Sequence, residues 1–365
     1  MKVIWVILAL VAGVFAETSD GEADQRVFGK SEEESYRGKV VLIRVGEKDL
    51  MNEQAFKFMR RTLRRVNEED AAAVVFDLKT PGGYAAYTAE LMMTEMAELK
   101  VPSYAFVNNE ATSAGALIAV ATDAIYMKPV SAIGSAALVR GDGQEIPKTM
   151  QAKLDSAYGS FTRSVVRKKG HNEDVVRAMM FTDETFSFDG LKGPEGEELD
   201  IWIGSDELLN LTGEEAVMEY EGKPLLAKGL VDSVDELLDA EGLGGRELVK
   251  AEMTPFERFA YWIKFVGPVL ILVGLGAGYF EMKTPGFGIG GAIALLAFAV
   301  FFFGNYAAGN LAGYELAAIF VVGLLLILVD LFLFPGTFVM GFTGVALMLG
   351  SLMFAMVYRF DYEDV

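Results

Sequence analysis

Two short stretches of the chain contain the residues that acyl-transfer chemistry uses. They are Thr80-Pro81-Gly82-Gly83 and Ala111-Thr112-Ser113-Ala114-Gly115, and each follows a short apolar run, which predicts two strand-to-helix turns. Ser113 supplies a hydroxyl nucleophile at a predicted helix start, where unpaired N–H groups favour an anion. The Ala114 N–H and one N–H of the Gly82-Gly83 pair are the candidate oxyanion donors. By spacing alone, the simpler interpretation of Ser113 as an N-cap and Pro-Gly-Gly as a turn is favoured.

A nucleophilic serine also needs a base, and the composition leaves few choices. The chain has no cysteine and a single histidine, so the base is His171 or a lysine. A lysine base must be neutral, which requires its pKa to fall from about 10.4 towards about 7–8 through burial and neighbouring charge. His171 follows Gly170 in a polar turn and is expected to face solvent.

Helical spacing favours Lys153 over Lys148 as the base. Lys153 lies roughly 60° from Met150 on a predicted helix, at the flank of its apolar stripe, whereas Lys148 lies roughly 160° away. The stripe consists of Met150, Leu154, Ala157, Phe161 and Val165. A lysine at the edge of a core helix often only extends its charge to water, and that interpretation stays open here.

Composition and charge divide the chain into two parts. The net charge of −19 disfavours nucleic acid as a partner, and the absence of cysteine excludes disulfides, thiolate nucleophiles and cysteine-ligated metals. The chain is 52% hydrophobic with a mean hydropathy of +0.31. Residues 265–357 carry only four formal charges, at Glu281, Lys283, Glu315 and Asp330. A soluble domain followed by a membrane region is therefore expected.

The N-terminal part of the chain predicts export and an α/β domain. Residues 1–16 have the basic start, apolar core and small-residue end of a signal peptide, with an uncleaved anchor as the alternative, and residues 17–38 form a loose tail. Apolar strands alternating with helices over 39–241 predict a largely parallel sheet covered on both faces. An acidic, glycine-rich excursion over 183–222 is expected to carry a hairpin.

The C-terminal part predicts a helical membrane domain of about four spans. A linker at 242–261 leads to helices at about 262–280, 288–304, 314–334 and 338–358, followed by an acidic tail at 359–365. Glu281 and Asp330 each end one helix a few residues before a Pro-Gly pair, so two similar hairpins are predicted, with both acids hydrated at the interface. Flanking basic residues favour a cytoplasmic α/β domain, whereas the signal peptide favours an extracytoplasmic one, and the latter is preferred.

The motifs in combination resemble a known family. The chain resembles the membrane-bound serine proteases of the NfeD family, relatives of the ClpP and SppA peptidases, at residues 77–83, 112–115 and 132–135. The resemblance continues through the Lys153 helix, Gly170-His171-Asn172, residues 211–216 and 229–232, and the Pro-Gly hairpins. It implies a ClpP/crotonase-like α/β domain, followed by an all-α membrane domain. It also implies a Ser113–Lys153 dyad, an oxyanion hole at Gly82/Gly83 and Ala114, and no metal or organic cofactor.

The resemblance further implies an apolar peptide substrate, such as a segment of a stomatin-like membrane partner, and a homo-oligomer. This chain departs from the family pattern at Lys79, which places a positive charge near the cleft, and at His171. The small C-terminal β-barrel of many long family members is not expected in a chain that ends at residue 365. A non-catalytic membrane scaffold is the main alternative, and acyl-CoA chemistry ranks last.

Overall fold

The computed structural model describes residues 35–140, 146–194, 196–283, 288–307, 315–332 and 339–356. The predicted signal peptide at 1–16, most of the predicted tail at 17–38 and the acidic tail at 359–365 lie outside these ranges. The described chain forms two compact units that divide between Glu252 and Met253. The first unit is a mixed α/β domain and the second is helical, as the sequence predicts.

The α/β domain is built on an eight-stranded sheet in the order β11-β4-β3-β2-β1-β12, with β5 pairing with β3 and β8 pairing with β5. All of these pairings are parallel except β5 with β8. The predicted parallel sheet is therefore confirmed. Its strands are β1 (Val40–Val45), β2 (Ala73–Thr80), β3 (Ser103–Thr112), β4 (Ala124–Met127), β5 (Ala132–Gly134), β8 (Asn210–Thr212), β11 (Gly229–Leu230) and β12 (Leu248–Lys250).

Seven α-helices accompany this sheet within the described residues. In α1 (Glu53–Glu68), the apolar residues Phe56, Met59, Leu63 and Val66 recur at helical spacing and are all buried. The Asn52 side chain caps the start of this helix by accepting the Gln54 N–H. The helices are α1 (Glu53–Glu68), α2 (Ala85–Leu91), α3 (Ala114–Val120), α4 (Lys148–Lys169), α5 (Glu173–Met180), α6 (Gly213–Ala216) and α7 (Val234–Ala240).

The ends of the α/β domain differ from the predicted boundaries. Tyr36, placed in the loose tail by sequence, is buried, and the Arg65 guanidinium lies 4.3 Å from the centre of its ring. The predicted linker at 242–261 instead contains β12, which pairs with β1, and the beginning of the next helix at Pro255. A run of three residues with one buried valine gives too little periodicity for sequence to identify a strand.

Most of the strands of the acidic excursion belong to a second, antiparallel sheet, and the predicted hairpin within it is confirmed. Its order is β10-β9-β6-β7, with β6 (Phe186–Lys192) and β7 (Glu198–Ile203) forming the hairpin. The short strands β9 (Glu219–Tyr220) and β10 (Lys223–Pro224) complete it. Phe188 is the buried aromatic residue of this sheet, and its ring packs edge-on against Tyr220.

The described part of the second unit contains four apolar helices, as the sequence predicts. They are α8 (Pro255–Lys283), α9 (Ile289–Ala307), α10 (Glu315–Phe332) and α11 (Val339–Met356). Within the described residues, the stretches Pro255–Glu281 and Ile289–Tyr306 are long and apolar enough to cross a membrane, and the apolar stretches Leu316–Ile327 and Val339–Phe354 are shorter. Buried residues from all four helices share one apolar cluster.

The two acids of the repeated hairpins do not simply face water, contrary to the sequence expectation. The Glu281 carboxylate accepts the N–H groups of Gly288 and Gly291 at the start of α9, the latter at 2.8 Å. Asp330 is buried, and a Cβ on Gly341 would lie 3.0 Å from its Oδ2. Each acid thus approaches the first turn of the following helix, where N–H groups lack helical partners.

Candidate active site

The two sequence turns meet at one point in the α/β domain. Thr80-Pro81-Gly82-Gly83 joins β2 to α2, and Ser113 joins β3 to α3. A Cβ placed on Gly82 would lie 2.5 Å from Ser113 Cβ and 3.0 Å from Ser113 Oγ. Gly82 also has a φ of +120°, which other residues rarely adopt. Only glycine at this position therefore allows the first turn to lie against the serine.

Gly83 lies against the backbone of Leu50. A Cβ on Gly83 would lie 1.9 Å from the Leu50 carbonyl oxygen, and that oxygen accepts the Tyr84 N–H at 2.7 Å. No acceptor for the Gly83 N–H is found among the described residues. The N–H of Gly82, in contrast, donates to Thr80 Oγ1 at 3.2 Å. The glycine pair thus presents one uncommitted donor, at Gly83.

Ser113 has a backbone conformation that is unusual for a residue with a side chain. Its φ is +54° and its ψ −122°, a conformation that costs on the order of 1–3 kcal/mol and is found mostly at functional sites. Ala114 begins α3 and is buried, so no carbonyl within the helix can accept its N–H. The site therefore combines a strained serine with two peptide N–H groups that have no acceptor among the described residues.

The strand β5 anchors Ser113 from the other side, a contact that sequence reasoning missed. The Ser113 N–H donates to the Gly134 carbonyl oxygen at 2.9 Å. A Cβ on Gly134 would lie 2.2 Å from the Leu209 carbonyl oxygen, and the Ser135 N–H donates to that same oxygen at 3.0 Å. The sequence signal for this contact was the stretch 132–135, but only the pairing of β3 with β5 reveals its role.

Lys153 lies on α4 as predicted, but it is exposed, contrary to the expected position against a buried face. The buried residues of α4 are Thr162, Val165 and Val166, all in its C-terminal half, whereas Met150 is 52% exposed. Lys148 is also exposed. The described residues show no hydrogen bond or ion pair between Lys153 and Ser113. Met150 and Ala157 of the predicted stripe are exposed, so the described residues do not provide the buried face that the helical phase predicted for Lys153.

His171 is half-buried instead of facing solvent, and it lies at the wrong end of α3 to act on Ser113. Its Nε2–H donates to the Thr122 carbonyl oxygen at 2.7 Å. Thr122 is nine residues beyond Ser113, a separation of about 13 Å along a helix. Burial lowers the pKa of His171, although its hydrogen bond to Thr122 and the nearby Asp123 oppose that shift. A base must lie within hydrogen-bond reach of the proton it removes, which excludes His171.

Lys79, the departure from the family pattern, is exposed and forms an ion pair. It alternates with the buried residues Leu78 and Thr80 along β2, so its side chain leaves the opposite face of the strand. Its Nζ lies 3.4 Å from Glu47 Oε1, and both side chains are more than half exposed. An exposed pair of this kind contributes little to stability. The positive charge of Lys79 is therefore paired with an acid in the free chain.

Two family models match most of the chain. The model described as NfeD1b, N-terminal domain, matches residues 39–251, and the model of the NfeD integral membrane domain matches residues 265–365. Membrane protein NfeD1b of Bacillus subtilis (strain 168) is 30% identical over 301 residues, which is 82% of this chain. The chain spans 63% of the length of that relative.

Solved structures with a similar α/β domain include those of the membrane-bound stomatin-specific protease 1510-N. A variant solved with a substrate peptide is 17% identical and covers 62% of this chain and 98% of its own, with a TM-score of 0.45. The membrane protease from Pyrococcus horikoshii specific for a stomatin homolog is also 17% identical, with coverages of 61% and 97% and a TM-score of 0.41.

Proposed function

The chain belongs to the NfeD family of membrane proteins, and we propose that it is a serine endopeptidase that cuts apolar segments of membrane-associated proteins with a Ser113–Lys153 dyad. The observation that carries the proposal is the conformation of Ser113. Ser113 has a φ of +54° at the start of a helix and lies against a turn that requires glycine. A residue that only caps a helix does not need this strained backbone, so the strain indicates a functional role.

The proposed reaction is acyl transfer through a covalent intermediate. Ser113 Oγ attacks the peptide carbonyl while neutral Lys153 takes its proton. The N–H groups of Gly83 and Ala114 stabilise the oxyanion, and each is worth on the order of 10²–10³ in rate. Lys153 then gives the proton to the leaving amine as the C–N bond breaks, and water hydrolyses the resulting ester. Gly82 is not assigned as an oxyanion donor, because its N–H donates to Thr80 Oγ1. Its role is to let the turn lie against Ser113.

The exposure of Lys153 bears on the substrate. A lysine becomes a base near neutral pH only when it is desolvated. Because Lys153 is exposed in the free chain, another group must cover it during the reaction, and we propose that the substrate covers this half of α4, where Met150 is also exposed. An apolar segment would cover both residues and exclude water. This argument supports apolar peptides as the substrate class, and a stomatin-like membrane protein is the partner we propose from the family resemblance.

Labelling of the full-length protein with a fluorophosphonate tests the nucleophile. We expect the wild-type protein to be labelled, Ser113→Ala to be unlabelled, and Lys153→Ala to be labelled far more slowly while staying folded. Ser135→Ala is the matched control, since Ser135 also has a positive φ, of +48°, but does not begin a helix. Unchanged labelling of Ser113→Ala would refute the assignment, and full activity of Lys153→Ala would transfer the base to Lys148.

A non-catalytic scaffold that organises a stomatin-like assembly is the second candidate. The observation that favours it is the exposed position of Lys153, without a contact to Ser113 among the described residues. It predicts that Ser113→Ala restores the function of a deletion strain completely. A failure of this variant at normal protein levels would exclude the scaffold.

We further propose a homo-oligomeric, multi-pass protein with an extracytoplasmic α/β domain. The orientation rests on the predicted signal peptide, since long domains are translocated largely independently of local charge. A reporter enzyme that is active only outside the cytoplasm should be active when it is fused after residue 250. An inactive fusion at normal protein levels would reverse the orientation.

A further inference from the structure

Thr80 is a buried polar residue that contacts both turns of the candidate site. It has no exposed surface. Its Oγ1 accepts the Gly82 N–H at 3.2 Å and lies 3.4 Å from the Gly82 carbonyl oxygen. On its other side, a Cβ on Gly115 would lie 2.6 Å from Thr80 Cγ2. One side chain thus contacts the glycine turn through its hydroxyl and the first turn of α3 through its methyl group.

These two contacts have separate consequences for the site. The hydroxyl engages the Gly82 N–H and so fixes the turn from which the Gly83 N–H projects. The methyl group occupies the space that Gly115 leaves, two residues after Ser113. Because the two contacts are made by one short, χ1-restricted side chain, they set the spacing between the glycine turn and the start of α3.

We propose that Thr80 is a positioning residue that keeps the oxyanion turn in register with Ser113. This inference rests on the proposed function, since it assigns Thr80 to the acyl-transfer site. The hydroxyl orients the donor of Gly83, and the methyl group sets the distance to α3. Thr80 acts through Gly82 and Gly115 and does not touch the substrate.

Two substitutions at Thr80 separate these contributions. Thr80→Val keeps the shape of the side chain but loses the acceptor, and Thr80→Ser keeps the acceptor but loses the methyl group. We expect Thr80→Val to lower the maximal rate of fluorophosphonate labelling by about tenfold or more, with the half-saturating probe concentration little changed, because a misplaced donor weakens the transition state and not probe binding. We expect Thr80→Ser, which keeps the hydroxyl and loses only the packing of the methyl group, to lower the rate by less, about threefold.

Rates are normalised to folded protein, measured by thermal unfolding of the full-length chain in detergent. A merely structural role would lower the folded fraction and leave the rate per folded molecule unchanged, which would overturn the inference. Equal losses in Thr80→Val and Thr80→Ser would also overturn it. If the wild-type protein and Ser113→Ala both fail to label, the proposed function falls and this inference with it. If the wild type labels and Thr80→Val labels as fast, only this inference falls.

A second pair of variants tests the methyl contact independently. Gly115→Ala places a Cβ 2.6 Å from Thr80 Cγ2, so we expect slower labelling and lower stability from this single change. The double variant Thr80→Ser/Gly115→Ala removes the clashing methyl group, and we expect it to recover most of both losses. If the losses of the double variant equal or exceed the sum of the losses of the two single variants, the methyl group of Thr80 does not limit the space at Gly115, and the spacing role of Thr80 is overturned.

Discussion

At the scale of single residues, the site is defined by positions where the backbone has little freedom. Gly82, Gly83 and Gly134 each lie so close to a neighbour that a Cβ would come within 2.5 Å of another heavy atom. Ser113, in contrast, carries a side chain at a φ that favours glycine. Glycine thus occupies the positions where a side chain would not fit. At position 113 the backbone conformation favours glycine, but the residue is a serine.

His171 also allows a prediction at this scale, because it is the single histidine of the chain. Burial lowers its pKa in the folded state, so the unfolded chain binds more protons below the ordinary histidine pKa of about 6.5. Its contribution to stability is therefore fully present above about pH 6.5 and is lost as the pH falls through the lower folded-state pKa. We expect the free energy of unfolding to fall by up to about 1.4 kcal/mol per pH unit in that window.

Urea unfolding between pH 7 and pH 5.5 measures this effect. Carboxylates stay ionised in both states over most of this range, so they contribute little to the slope. His171→Gln is the control, since glutamine keeps a donor for the Thr122 carbonyl but does not titrate, and its stability should be nearly independent of pH. An equal slope in the variant and the wild type would contradict the prediction.

At the scale of elements, close packing in the helical unit depends on glycines that face another helix. Gly274 of α8 packs against the ring of Phe298, and Gly323 of α10 faces Gly344 of α11. A Cβ on Gly344 would lie 2.4 Å from the Gly323 carbonyl oxygen. Small residues are what allow apolar helices to approach each other in a bilayer. The Gly323–Gly344 contact was not evident from spacing, because the two glycines lie on different helices.

Gly344→Ala should therefore destabilise the pair α10 and α11, because the added methyl group meets backbone that cannot move aside. We expect a loss of about 1–3 kcal/mol, typical of an overpacked site, measured by thermal unfolding in detergent. Gly350 lies on the same helix, and the described residues place no neighbour within 4 Å of its Cβ position, so Gly350→Ala should be neutral or stabilising by up to about 1 kcal/mol. Equal effects of the two changes would contradict the packing.

At the scale of the whole molecule, the α/β domain extends further than the sequence boundary suggests. The strand β12 covers the open edge of β1, where the Val40 N–H donates to the Glu247 carbonyl oxygen at 2.9 Å. Val249 of this strand is buried. The residues that follow the predicted domain end at 241 thus include a strand of the α/β domain.

A chain of residues 31–252 should fold without the apolar helices, because it forms one compact unit. A chain of residues 31–246 should be less stable by about 2 kcal/mol or more, since it loses the burial of Val249 and the pairing of β12 with β1. It should also associate through the uncovered edge of β1. Urea unfolding and gel filtration of the two chains measure both effects, and equal midpoints would contradict the role of β12.

The sequence by itself determined the elements and the partition of the chain. Apolar runs and helical stripes predicted the parallel sheet, α1 and the four apolar helices, because these depend on local periodicity and composition. It also predicted that Ser113 and the Pro-Gly-Gly turn lie at strand-to-helix turns, since glycine, proline and small polar residues mark such positions.

Only the tertiary structure decided which side chains meet and which are covered. The anchor of Ser113 on Gly134, the contacts of Thr80 and the position of His171 at the far end of α3 all join residues distant in sequence. Helical phase placed Lys153 on the flank of a predicted stripe, but Met150 and Ala157 of that stripe are exposed, because burial depends on which elements pack against the helix. Local periodicity gives the direction of a side chain, whereas its environment is a property of the assembled fold.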